Sequence, residues 1–320
     1  MRILVTGATG FIGNRLVGRL EKKGHDIVCL VRRESNTSGL EKRGLRLAVG
    51  DITDFERVEK IFQDERPECV FHCAARVKDA ETENIYRTNI EGTRNICESC
   101  YRNGAGRLVY LSSVAVVSGN PEVPLVEDLP YKTTSVYGRS KVEAEKITLD
   151  YRQKGLGVAI LRPCMVYGEG EPHALSRILG LVNKRFIPVP GLKRIRDRLC
   201  LAYVDNVTYA LELAMENKEA VKGTFFIADK DIITIREFLT IVSDELDISP
   251  PFVIPGWIVN AGLLVPPLRN RFNRVFKDRV YDIRRATDLL GYDPEVSTAE
   301  GLRRTVRYWK RGHKAESSGV

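Results

Sequence analysis

The sequence predicts an α/β fold, a doubly wound parallel sheet with a smaller C-terminal lobe interleaved with it. Three observations carry that prediction. Short, wholly apolar runs of strand length alternate with amphipathic helical stretches through the first half of the 320 residues. A glycine-rich turn, Gly7-Ala8-Thr9-Gly10-Phe11-Ile12-Gly13, joins the first run to the first helix. After residue 162 the regular alternation weakens and prolines and basic residues punctuate the chain. Strands that are apolar throughout belong to sheets covered by helices on both faces, and repeated strand–helix–strand alternation makes such a sheet parallel.

Ile3, Leu4 and Val5 read as a buried strand, and residues 11–20 as a helix with apolar positions at Phe11, Ile12, Leu16, Val17 and Leu20. Further strands are predicted at 26–31 (DIVCLV), 45–49, 69–73 (CVFHC), 107–111 (RLVYL) and 158–161 (VAIL). Helices are predicted near 53–63, 86–102 and 137–154. Beyond them come a helix at 205–216, a strand at 224–228 and a helix at 234–247. The organisation predicted is a dinucleotide-binding domain over 1–162 with a return segment near 201–228, a substrate-binding lobe over 163–313, and a disordered tail over 314–320.

Composition narrows the function. With 43% apolar and 29% charged residues the chain is an ordinary globular protein. Its +8 charge is spread along the chain. Lys22-Lys23 and the basic stretch 193–198 lack the spaced aromatics that nucleic-acid stacking uses, so acidic small molecules are the expected partners rather than nucleic acid. The seven cysteines are odd in number and scattered. Cys97 and Cys100 have CxxC spacing but lie in a helical pattern with no second pair, so no metal site is expected and the thiols read as buried and free in a reducing cytoplasm. No signal-peptide pattern precedes the first strand, which agrees with a cytoplasmic location. The apolar segment 250–268, PPFVIPGWIVNAGLLVPPL, is broken by prolines and glycines and reads as a cap over a pocket rather than a membrane span.

The turn at Gly7, Gly10 and Gly13 points unpaired backbone N–H groups and the positive end of a helix dipole at one spot, which suits a phosphate. In a parallel sheet that spot lies at the carboxyl ends of the strands, where dinucleotides bind. The second strand ends Leu30-Val31-Arg32-Arg33, with two arginines ahead of the first carboxylate, Glu34. Forked, charge-assisted contacts from Arg32 and Arg33 suit a ribose 2′-phosphate, so NADP(H) is favoured over NAD(H). Asp51, in Gly50-Asp51-Ile52, is placed to accept from an adenine amino group, and Cys73-Ala74-Ala75 is small enough for the cofactor to lie close.

The stretch Tyr137-Gly138-Arg139-Ser140-Lys141 places a tyrosine and a lysine one helical turn apart. A lysine ammonium beside a phenol stabilises the phenolate, so the tyrosine pKa is expected to fall toward the range of a general acid–base. Upstream, Tyr110-Leu111-Ser112-Ser113 puts serine hydroxyls at a strand's carboxyl end, where one can bind a substrate oxygen.

In this order TGATGFIG, GDI, FHCAA, TNIEGTRNI, YLSS, YGRSKVEAE, LRPCMVYGEG and YVDNV resemble the extended short-chain dehydrogenase/reductase family, the NAD(P)-dependent epimerase/dehydratase group. The closing YDIRRATDLLGYDPEVSTAEGLRRTVRYW is similar to that family's C-terminal end. The resemblance implies a Rossmann-type sheet, with Tyr137 as acid–base, Lys141 as its partner and ribose ligand, and Ser113, with Ser112 as the alternative, on the substrate oxygen. It implies cofactor contacts from Gly7, Thr9, Gly10, Phe11, Ile12, Gly13, Asp51, Ile52, Asn89, Pro163 and Val166, with Asn89 also bracing the active-site helix. Arg198 matches a family arginine that grips a nucleotide diphosphate, and Arg271 stands near the place of a second. A homodimer through helices at 86–102 and 137–154 is expected on the same ground.

The chain departs from the sugar epimerases in two places. SSVAVVSG carries one more residue than their loop, with Ser118 in place of a tyrosine, and Pro163-Cys164 stands where many have an asparagine. Three functions therefore stay open. One is an epimerase or 4-keto/4-hydroxy oxidoreductase of a nucleotide-diphosphate sugar. Another is an NADP(H)-dependent reductase of a hydrophobic ketone or alcohol, 3β-hydroxysteroid- or dihydroflavonol-like. The third is a non-catalytic NADP(H)-binding sensor.

Overall fold

The computed structural model describes residues 1–172, 174–183, 189–190, 197–250, 253–254 and 279–317. In chain order, the first half contains β1 (Arg2–Thr6), α1 (Phe11–Lys22), β2 (Asp26–Val31), α2 (Ser38–Glu41), β3 (Arg46–Val49), α3 (Phe55–Glu65) and β4 (Cys69–His72). It continues with α4 (Thr82–Tyr86), a π-helical turn (Arg87–Glu91), α5 (Gly92–Arg102), β5 (Arg107–Leu111), α6 (Val136–Gln153) and β6 (Val158–Pro163). The remainder contains β7 (Met165–Tyr167), α7 (Ala174–Asn183), β8 (Val189–Pro190), β9 (Arg198–Leu199), β10 (Leu201–Tyr203), α8 (Val204–Glu216) and β11 (Thr224–Ile227). Last come β12 (Ile233–Thr234), α9 (Ile235–Leu246), β13 (Val253–Ile254), α10 (Arg284–Leu290) and α11 (Thr298–Ser317).

Seven strands form one sheet in the order β11-β6-β5-β4-β1-β2-β3, every neighbouring pair parallel. Alternation along each strand divides the core. Ile3, Val5, Phe71, Val109 and Leu161 pack with Leu16, Val17 and Leu20 of α1 and with Val207, Ala210 and Leu211 of α8. Leu4, Val70, Leu108, Tyr110 and Ile160 pack on the other face with Val58 and Phe62 of α3, Ile96 of α5 and Ile147 of α6. Because both faces are covered, the strands are apolar throughout, as the sequence predicts. The return segment is β11, whose Thr224–Ile227 pairs with Ile160–Pro163 and closes one edge.

A third cluster joins Leu175 and Leu179 of α7, Phe238, Leu239 and Val242 of α9, and Leu302, Val306 and Trp309 of α11. Helix α11 runs to Ser317, so residues 314–317 are helical where the sequence predicts a disordered tail; no proline or glycine interrupts the pattern from Lys314 to Ser317. No described helix is long and apolar enough to cross a membrane. Most of the apolar segment 250–268, and the basic residues 193–196, lie outside the described residues.

Strand order reverses between β1 and β4, the switch point at whose carboxyl ends such sheets bind their ligands.

Candidate active site

The glycine turn is built by close approach. Gly7 has φ +72°, and a Cβ on it would lie 2.7 Å from the Ala74 nitrogen and 2.9 Å from the Cys73 carbonyl carbon. A Cβ on Gly13 would fall 2.1 Å from the Gly7 oxygen. The Gly10 N–H donates to the Gly7 carbonyl (2.9 Å), and Thr9 and Gly10 are exposed. Gly10 caps α1 without a side-chain acceptor and no acidic residue lies in the first turn, so the N–H groups there face outward beside Phe11 and Ile12. That cradle fits the pyrophosphate of a dinucleotide.

The neighbouring strand ends supply the rest of the cleft. Arg32 and Arg33 are exposed just past β2, and Arg32 Nη1 pairs with Glu34 Oε1 at 3.0 Å. Past β3, Asp51 Oδ1 accepts from both the Thr53 N–H and hydroxyl at 2.8 Å, which fixes the carboxylate beside buried Ile52. Pro163 ends β6 and Val166 lies in β7. Arg198 is exposed on β9, and Arg271 lies outside the described residues.

The chemical groups sit where β5 meets α6. Ser135 caps α6, its hydroxyl accepting from the Gly138 N–H at 2.9 Å, and so sets the first turn that carries Tyr137. The half-buried Tyr137 hydroxyl is hydrogen-bonded to Ser113. Burial pushes the Tyr137 phenol up to about 12, and the Ser113 hydrogen bond only partly opposes this. This is opposite to the expected fall, because the Lys141 ammonium turns elsewhere. Its Nζ donates to the Tyr110 hydroxyl at 3.0 Å and to the Leu111 carbonyl at 2.7 Å. Burial lowers Lys141 to about 8, against the pull of Glu145 and Cys73.

Asn89 braces the site. It lies in the π-helical turn, 1% exposed, where such bulges commonly serve a site. Its side chain accepts from the Arg76 N–H (2.7 Å) and donates to the Arg76 carbonyl (3.0 Å) and the Ser140 hydroxyl (2.8 Å). The amide thus ties the loop after β4 to α6.

Ser112 is not aimed at the cleft. It is buried and its hydroxyl bonds Glu145, so the expected substrate contact from it gives way to a structural one. Glu145, 0% exposed, also accepts from Arg162 Nε (2.9 Å), Arg162 Nη2 (2.6 Å) and the Tyr131 hydroxyl (2.9 Å). Arg162 Nη1 reaches the Glu127 carbonyl at 2.9 Å. Sequence reasoning missed this network, although an arginine closing the apolar strand 158–161 signals a buried, paired charge. All seven cysteines are free, as expected; Cys97 and Cys100 are core residues of α5, whereas Cys164 and Cys200 bring their sulfurs to 3.6 Å beside the cleft.

A parallel sheet in this order, a glycine turn at its switch point, and a serine–tyrosine pair with a buried lysine define a dinucleotide-dependent oxidoreductase-type enzyme of the Rossmann class. The chain belongs to the NAD dependent epimerase/dehydratase family, whose model matches residues 3–228. It is 30% identical to the UDP-glucose 4-epimerase of Vibrio cholerae, over 95% of this chain and 94% of that one. It is 27% identical to the decarboxylating sterol-4-alpha-carboxylate 3-dehydrogenase of Schizosaccharomyces pombe, over 96% of each. Among solved structures it resembles the Thermotoga maritima UDP-glucose 4-epimerase with UDP-glucose, with a TM-score of 0.80 and 26% identity, covering 98% of this chain and all of that one.

Proposed function

We propose that the enzyme moves hydride between nicotinamide and C4 of a nucleotide-diphosphate sugar, with Tyr137 exchanging the proton of the substrate hydroxyl. The observation that carries this reading is the Ser113–Tyr137 hydrogen bond just past the carboxyl end of β5, in the sheet whose β1 ends in the glycine turn. The full-length likeness to two UDP-glucose 4-epimerases supports the substrate class. Bound in the cleft, nicotinamide supplies the hydride acceptor or donor. Ser113 holds the substrate oxygen. Tyr137, held up near 12, is a neutral phenol at pH 7 and is set to protonate a ketone oxygen. In the other direction the Ser113 hydrogen bond favours the phenolate. The product is the epimer if the keto sugar turns before hydride returns, and otherwise a net reduced or oxidised sugar.

NADP(H) is the preferred cofactor in this reading, supported by exposed Arg32 and Arg33. The seven free thiols support a cytoplasmic location. A homodimer through the helices at 86–102 and 137–154 is supported by a recess of about 390 Å³ at their start, lined by Tyr86, Ile90, Tyr131 and Val142 together with Thr133, Arg139 and Glu143.

A second reading, reduction of a hydrophobic ketone or alcohol, is favoured by Pro163-Cys164 where many nucleotide-sugar epimerases have an asparagine, with Cys164 buried against the Cys200 thiol, and by the sterol dehydrogenase relative. Calorimetric titration with UDP, GDP and dTDP at saturating NADP(H) separates the two. Tight binding of one nucleotide, lost in Arg198→Ala, supports the sugar reading; no binding by any of them supports the hydrophobic substrate.

A further inference from the structure

Beneath the Tyr137–Ser113 pair runs a buried chain of hydrogen bonds. Thr6 Oγ1 lies 2.7 Å from His72 Nδ1, and His72 Nε2 lies 3.0 Å from Thr93 Oγ1. Thr93 donates to the Asn89 carbonyl at 2.6 Å and is hydrogen-bonded to the Tyr110 hydroxyl. Tyr110 accepts from Lys141 Nζ at 3.0 Å and stacks on the His72 ring at 5.6 Å between centroids. Because the Thr93 proton is committed to Asn89, Thr93 Oγ1 must accept from both sides. His72 is then the Nε2–H tautomer, accepting from Thr6, and Tyr110 donates to Thr93 while accepting from lysine. Every donor in the chain has one direction.

Lysine has three N–H donors. Tyr110 and the Leu111 carbonyl take two, and the third remains for a ligand. The groups facing the ammonium are Tyr110 and the Leu111 carbonyl from β5, His72 and Cys73 from the end of β4, and Glu145 from its own helix. We infer that Tyr110 is a positioning residue for this enzyme: its hydroxyl, held by Thr93 on the His72-anchored chain, orients the Lys141 ammonium so that its last N–H is presented to the cofactor. This rests on the reading of Lys141 as a cofactor ligand.

The test is titration of the full chain with NADPH and NADH by nicotinamide fluorescence across pH 6.5 to 9, in wild type, Tyr110→Phe, Lys141→Met and the double variant. Losing one hydrogen bond to a charged group predicts a roughly ten-fold weaker affinity for Tyr110→Phe. The double variant should bind no worse than Lys141→Met alone, because Tyr110 acts only through the lysine. The alkaline loss of affinity should also move to lower pH in Tyr110→Phe, since the charged lysine has lost an acceptor. A merely structural tyrosine would move neither. Additive losses in the double variant, or wild-type affinity in Tyr110→Phe beside a weakened Lys141→Met, overturn the inference and leave the lysine reading intact. Wild-type affinity in Lys141→Met overturns both. Should Tyr110→Phe fail to fold, Thr93→Val, which keeps the tyrosine but removes its anchor, takes its place with the same pattern expected.

Discussion

Glu145→Gln breaks the most buried ion pair of the site while keeping its shape. Glu145 is fully buried and Arg162 is 4% exposed. Three contacts at 2.9, 3.2 and 2.6 Å join them, and Tyr131 and Ser112 complete the carboxylate's partners. Removing one charge leaves the guanidinium without its counter-ion, and breaking a buried pair in this way costs about 3–5 kcal/mol. Urea unfolding followed by circular dichroism should show the midpoint lowered by about 1–2 M with the slope unchanged. The double variant Glu145→Met/Arg162→Met removes both charges and should recover at least half the loss, since apolar pairs often replace buried ion pairs without penalty. An unchanged midpoint in Glu145→Gln, or a double variant worse than the single, would refute the reasoning.

Other outcomes follow from the same geometry. Burial holds the His72 imidazole at about 3, well below its ordinary 6.5. The unfolded chain therefore takes up a proton below pH 6.5 that the folded chain refuses, and stability falls as pH drops toward 3. The slope is about 1.4 kcal/mol per pH unit for that group; urea midpoints at pH 6.5 and 5 should show it in wild type, and His72→Gln should lack that one proton's share. Gly13→Ala forces a Cβ onto the Gly7 oxygen and should cost about 1–3 kcal/mol with loss of dinucleotide affinity. Gly18→Ala on the same helix meets only the Arg43 guanidinium at 3.6 Å and should be neutral or stabilising by up to about 1 kcal/mol; thermal melts of the two variants check both.

What the sequence made legible was what repeats. The apolar runs at 26–31, 107–111 and 158–161 and the helical periods around Leu16 and Ile147 gave the sheet, its order of elements and the place of the cleft. Glycines forced by close approach were readable because Gly7 and Gly13 have no alternative in that turn. Hidden were contacts between residues distant in the chain. Nothing local distinguishes Ser112 from Ser113, yet strand alternation sends one to Glu145 and the other to Tyr137. The same alternation turns Tyr110 inward beneath Lys141, which is why the lysine charge does not lower the Tyr137 phenol as the four-residue spacing suggests. The π-helical turn at Arg87–Glu91 has no sequence mark beyond Asn89 itself.

The central claim, that Tyr137 moves the proton during hydride transfer, is tested most directly by Tyr137→Phe. Cofactor affinity and reduction of the bound nicotinamide by whichever nucleotide sugar binds would be followed together by fluorescence. Unchanged affinity with formation of reduced nicotinamide slowed by about 100-fold or more is the predicted result. Formation at the wild-type rate would contradict the claim.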